Sequence, residues 1–183
     1  MQTHRLHSFV AVLTLAGGLQ PPPGCGPLPP LDPGEPSAPA PAPHVAMVTT
    51  AEIRDSTQVP PPQDEFPLFE VRDVLVYAQY SELDDGVYVQ RAAFYTPDGG
   101  LYASIARAFA IGPDAPATIE AGGVGPLPVE PASGPADAPF VLTALAVSGT
   151  PIMLNVVAGT WRVVVTLDGQ AEPAGETSFE LVK

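Results

Sequence analysis

Asp84, Asp85, Asp98, Asp168, Glu176 and Glu180 are the side chains of this sequence best suited to chemistry. Two carboxylates held at the right separation can hydrolyse a glycoside. Aspartates from neighbouring loops can also supply oxygen ligands to calcium, and Asp84, Asp85 and Asp168 are the candidates for that role. Yet Asp84-Asp85-Gly86, Pro97-Asp98-Gly99 and Leu167-Asp168-Gly169 all read as turns. Aspartate caps its own turn and tolerates unusual dihedrals, which explains these residues without catalysis. No DxDxDG loop accompanies them. The expectation is of solvated turns, with calcium as a possible ligand and a small carboxylate hydrolase as the remotest reading.

Other chemistries lack their residues. His4, His7 and His44 all precede residue 66, the one cysteine is Cys25, and the one lysine is Lys183. From residue 66 onward there is no histidine for a Ser-His-Asp or Cys-His arrangement. Zinc sites built on His or Cys are missing there too, and a terminal lysine makes a poor Schiff-base former. No GxxxxGK[ST] or GxGxxG loop occurs. No enzyme is expected. Aromatic contacts remain: Tyr80 and Tyr102 stand near strand ends and are the candidates for touching a sugar or a peptide. Trp161 shares parity with Val163, Val165 and Leu167, so it is expected in the core.

The charge is uneven. Twenty acids against seven Lys and Arg give a net charge of -13, of which residues 66–183 hold -9. Such a chain has no footprint for a phosphate backbone, so nucleic acid is excluded as a partner. Anionic lipid would be repelled as well. No apolar run reaches the roughly 18 residues of a spanning helix.

Arg5 precedes the apolar core Phe9-Val10-Ala11-Val12-Leu13-Thr14-Leu15-Ala16, the pattern of an export signal over residues 1–25. Gly24-Cys25 follows. A small residue before a cysteine, just after such a core, resembles a bacterial lipoprotein signal. That resemblance implies a lipid on Cys25 and a mature chain that starts there, so the membrane is reached only through that lipid. A cut after Gly18, with Ala16 and Gly18 as the small pair, is the alternative. Either route places the protein outside the cytoplasm, in the periplasm or at the cell surface.

These features need a scaffold to position them. Fifteen of the 25 prolines lie between Pro21 and Pro67. Proline fixes φ and lacks an N–H donor, so residues 26–65 read as a disordered, semi-rigid tether. One stretch within it, His44–Thr50, is apolar and β-branched enough to dock as a first strand. From residue 66 the chain alternates strand-like runs with turns: 69–80, 87–95, 101–111, 140–147, 152–157, 161–167 and 178–182, with a short candidate at 117–120. Leu101–Ile111 also fits a helical stripe, but the Pro97-Asp98-Gly99-Gly100 turn before it favours a strand.

Seven or so short strands over residues 66–183 fit an all-β, antiparallel immunoglobulin-like sandwich. The ending Gly159-Thr160-Trp161-Arg162-Val163, Asp168-Gly169 and Phe179-Glu180-Leu181 resembles the last two strands of bacterial extracytoplasmic immunoglobulin-like domains. The resemblance implies a fold and no activity. The expected function is a non-enzymatic, exported cell-envelope module with a structural or protein-interaction role, its partner an envelope protein or polysaccharide. A carbohydrate- or calcium-binding sandwich is the alternative.

Overall fold

The computed structural model describes residues 44–53, 57–168 and 172–183. The signal over residues 1–25, Cys25 and the tether up to residue 43 lie outside the described residues. In chain order the elements are β1 (His44–Thr50), β2 (Glu65–Pro67), β3 (Asp73–Ser81), β4 (Gly86–Tyr95), β5 (Leu101–Ile111), β6 (Thr118–Ala121), β7 (Gly125–Pro131), β8 (Phe140–Ala146), α1 (Pro151–Leu154), β9 (Gly159–Leu167) and β10 (Gly175–Val182). The described chain is all-β apart from the single helical turn.

Two sheets form. The smaller has the order β1-β3-β8 and the larger β2-β10-β9-β4-β5-β7-β6. Pairing is antiparallel except for β2 with β10 and β5 with β7. Alternation decides what lies between the sheets. Val74, Val76, Ala78 and Tyr80 of β3 meet Ala92 and Phe94 of β4 and Trp161, Val163, Val165 and Leu167 of β9 in one buried cluster. Trp161 is fully buried and stacks on Phe179 of β10 with ring centroids 6.1 Å apart. Burying such aromatics supplies much of the driving force for closing the sheets, about 25 cal/mol per Å² of apolar surface. Gly175 opens β10 to its neighbour: a Cβ there would stand 3.1 Å from Met47 Sδ and 3.2 Å from Val45, both on β1.

A polar link crosses this apolar core. The Tyr80 hydroxyl donates to Gln90 Oε1 at 2.7 Å, and Gln90 Nε2 donates to Thr143 Oγ1 at 3.0 Å. Tyr80 and Thr143 belong to the small sheet and Gln90 to the large one, so the chain of bonds fixes the sheets in register. Buried polar groups need such partners.

The small sheet is buried on its outer side too. Leu75, Tyr77 and Phe140 form a second cluster there, with Val48, Val59 and Leu142 packed against it. The Tyr77 hydroxyl donates to the Glu52 carbonyl at 3.4 Å, and Gln63 N–H donates to the Thr49 carbonyl at 2.8 Å. Residues 44–50 and 57–65, expected within a tether ending at 65, therefore belong to the compact unit Ala40–Lys183. The physical reason is that β3 is apolar on both faces, and the segment carrying Val59 and the buried Pro60 covers the outer one.

Leu101–Ile111 is a strand, as the turn before it required. The expected strand at 152–157 is not formed. Pro151–Leu154 is a helical turn instead, with Thr150 as its N-cap accepting the Ile152 N–H and Pro151 at its start. Proline is preorganised for that first position and threonine for the cap, which outweighs the β-branched residues that follow.

Candidate binding surfaces

Asp84 and Asp85 lie in the turn between β3 and β4, and Asp168 directly follows β9. Asp168 takes φ +50°. Its N–H donates to the Val89 carbonyl at 2.8 Å, and its Oδ1 accepts the Val89 N–H at 2.7 Å. The Asp84 carbonyl accepts the Tyr88 hydroxyl at 2.9 Å. The Asp85 carboxylate packs over Gly112. All three aspartates lie near enough for their charges to act on the Tyr88 hydroxyl. Desolvation first, and then the charges of Asp84, Asp168 and Asp85, push its hydroxyl above the usual pKa. Among the described residues no group of three or more His, Cys, Asp or Glu is placed to hold a metal ion.

Tyr80, expected as an exposed contact, is buried at 1 % exposure. It stacks on Phe109 at 5.3 Å and holds Gln90 across the core. The reason was present in the sequence: Tyr80 shares parity with Val74, Val76 and Ala78, the inward face of its strand. Burial, and then the charge of Asp168, raise its hydroxyl pKa far above the ordinary value.

Tyr102 is the tyrosine that stays at the surface, 37 % exposed. Its ring meets Trp161 edge-on at 5.4 Å, so a core residue anchors it from beneath. The β4–β5 turn beside it is tightly held. The Thr96 hydroxyl is shared between Asp98 Oδ1 and the Gly100 carbonyl, and Gly99 N–H donates to the Thr96 carbonyl at 2.8 Å. The bond from Thr96, then that from the Gly100 backbone, hold the Asp98 carboxyl below its ordinary pKa. Asp98 is thereby a turn-builder.

A cleft of about 440 Å³ opens here, walled by Pro97, Leu101 and Tyr102 on one side and Val157 and Ala158 on the other. Two further apolar side chains are exposed, Leu154 at the end of α1 and Val156 on the loop that leads from it to this wall, and Leu101 is exposed within the cleft lining. Val156 takes φ +53°. A β-branched residue in the left-handed region is strained, and such strain clusters at functional positions. The loop is pinned around it: Val157 N–H donates to the Ile152 carbonyl at 2.9 Å, Ala158 N–H to the Val156 carbonyl at 2.8 Å, and Trp161 Nε1 to the Val157 carbonyl at 3.3 Å. The cleft is thus an apolar shelf with one aromatic, and the exposed Leu154 and Val156 precede its Val157 and Ala158 in the chain. The sequence reading missed Leu154 and Val156 because it placed them in a strand. The signal that would have found them is Gly149-Thr150-Pro151, a turn followed by a helix start.

On the outer face of the large sheet, Arg162 lies over the Tyr95 ring at 4.6 Å and pairs with Glu176 at 3.4 Å. Glu176, one of the carboxylate candidates, is engaged there as a cross-strand ion pair.

No family model and no curated protein matches the chain. Among solved structures, the chain is similar at TM-score 0.37 and 13 % identity to the Pseudomonas fluorescens alkylpurine DNA glycosylase AlkC bound to DNA containing an abasic site analog, over 76 % of this chain and 30 % of that one. A putative beta-galactosidase from Bacteroides fragilis gives TM-score 0.28 and 11 % identity, over 76 % of this chain and 16 % of the other. The chain therefore spans less than a third of either structure, and at these scores neither assigns it a fold family or a function.

Proposed function

We propose that this protein is a non-enzymatic, exported module of the cell envelope, built as an immunoglobulin-like sandwich, that binds a protein partner. The observation that carries the reading is the apolar shelf of Leu101, Tyr102, Val157 and Ala158, continued along the chain by the exposed Leu154 and Val156. A cluster of exposed aliphatic side chains favours a protein surface over a sugar, which prefers a concave row of aromatics. The strained Val156 supports the same reading, because its cost is borne at the shelf and nowhere in the core. The two facing sheets, with Trp161 buried between them, favour the sandwich. The Arg5 start, the apolar run 9–16 and Gly24-Cys25 favour export, with a lipid on Cys25 as the anchor.

Fractionation and intact mass of the natural protein test this. The expected result is a product in the envelope fraction that lacks the first 24 residues and carries diacylglycerol on Cys25, or one cut after Gly18. A cytoplasmic product with Met1 or Gln2 at its start would overturn the export reading.

A further inference from the structure

We propose that the open edge of β8 accepts an extended, uncharged strand from a protein partner. The inference rests on the reading of this chain as a protein-binding module, and it names the partner's chemistry.

Sheet edges with unpaired backbone groups recruit other strands, and proteins blunt them with charge, proline or brevity. Two of the four edges here are managed in that way, and β1, itself free of Asp, Glu, Lys, Arg and proline, is covered at Thr49 by a second segment. β2 has three residues and carries Glu65 and Pro67. β6 has four and carries Glu120. The Thr49 carbonyl of β1 accepts Gln63 N–H, and its hydroxyl donates to the Gln63 carbonyl at 2.8 Å. β8 differs. Its seven residues, FVLTALA, contain no charge and no proline. No charged residue stands between Asp137 and Arg162, so the same uncharged stretch contains β8, Leu154 and Val156.

The backbone orientation is fixed at the start of the strand. Phe140 N–H donates to the Ser133 carbonyl at 2.7 Å, and the Phe140 carbonyl accepts the Ser133 N–H at 3.0 Å. Phe140 thus points its amide and carbonyl away from β3. Antiparallel pairing alternates, so Leu142 and Ala144 point theirs the same way. Ala146 follows, but its carbonyl already accepts the Thr150 hydroxyl at 3.3 Å. Beyond Leu142 and Ala144 lies a cleft of about 280 Å³, whose opposite wall includes Arg107, Glu130 and Pro131. In that wall Arg107 Nε is buried without a hydrogen-bond acceptor, although its guanidinium pairs with Glu130 at 3.7 Å. An entering strand would satisfy Leu142 and Ala144 and bring carbonyl oxygens to the side of Arg107. This is strand addition, in which main-chain bonds give affinity and alternate side chains give selectivity.

Charge selects the occupant. Ala40–Lys183 holds 18 acids and 6 Lys and Arg, for -12. A second copy would bring the same charge, whereas a neutral or basic partner presenting an uncharged segment meets no repulsion.

The probe is a phage-displayed library of random heptapeptides selected on the full chain. Selected peptides should be uncharged over four consecutive positions. Each should slow amide exchange at Leu142 and Ala144 at least tenfold while leaving Val141 and Thr143, already bonded to β3, unchanged. Ala144→Pro removes the edge N–H and should weaken binding more than tenfold. Ala144→Lys, at an exposed position that tolerates the side chain, should weaken it comparably and keeps the test valid if the proline variant misfolds. The proposal is overturned by a library that yields no binder, by protection at other amides, or by unchanged affinity in Ala144→Lys. It is also overturned if sedimentation shows a dimer with Leu142 and Ala144 protected before any peptide is added, since a second copy would then fill the edge. None of these outcomes bears on the mass of Cys25 or on the envelope location, so the two readings fail separately.

Discussion

Tyr80 does at the residue scale what no apolar side chain could: it fills core volume and ties β3 to β4 through Gln90. Tyr80→Phe keeps the ring and leaves Gln90 Oε1 buried without its donor, so it should cost about 1–3 kcal/mol in denaturant unfolding. The pH dependence has a definite sign. The hydroxyl pKa is raised in the folded state, so its contribution is complete below the ordinary value of 10.0 and falls away as pH rises above it. Unfolding curves taken above pH 10 should therefore lose stability less steeply for Tyr80→Phe than for the parent chain, with the remaining slope including Tyr88, which is raised too. Equal slopes would mean that Tyr80 ionises freely in the fold. Asp98 has the opposite sign. Its carboxyl is held below the ordinary 3.8, so the stability it lends is present above that value and is lost as pH falls through the folded pKa. Thr96→Val removes the hydroxyl that bonds this carboxylate, and an NMR titration should find Asp98 returned upward towards 3.8. No movement would separate the hydroxyl from the shift.

Among the elements, the bridge between Ser133 and Phe140 ties the start of the 132–139 loop to β8. Gly134 makes it possible. It takes φ +91°, and a Cβ there would fall 2.7 Å from Phe140 Cδ1. Gly134→Ala should destabilise by about 1–3 kcal/mol, measured by thermal or chemical unfolding, because both the backbone and the ring must yield. A neutral substitution would mean that the loop relaxes without the bridge. The same scale shows what the sequence made legible. The β4–β5 hairpin and the β9–β10 pair followed from period-two alternation and from glycine-rich turns. β7 did not, because Gly125-Pro126-Leu127-Pro128 looks like loop: Pro126 and Pro128 are tolerated because they pair with β6 on one side only, the pairing with β5 beginning at Val129. α1 was hidden because Ile152 to Val157 is as good a strand by composition, and only the Thr150 cap and Pro151 decide otherwise. The exposure of Tyr102 was legible from its place near a turn, while that of Leu154 and Val156 depended on the helical turn announced only by Thr150 and Pro151.

On the scale of the whole molecule, composition separated the proline-rich segment from the strands but placed the boundary too late. The boundary depends on long-range cover: Leu75 and Tyr77 point out of the small sheet, and nothing local says that Val59 will return to meet them. Net charge was legible from the start and limits the partners still, since a -12 unit associates most readily with neutral or basic proteins. The uncharged interval between Asp137 and Arg162 is where that repulsion is least, and it includes both Leu154 and Val156 of the shelf. The most direct measurement is photo-crosslinking in cells from a benzoylphenylalanine placed at Leu154, with Ser178 on the outer face of β10 as the control site. The account predicts a discrete protein adduct from position 154 and none from 178. Adducts from both positions alike, or none from either, would contradict a protein-binding shelf.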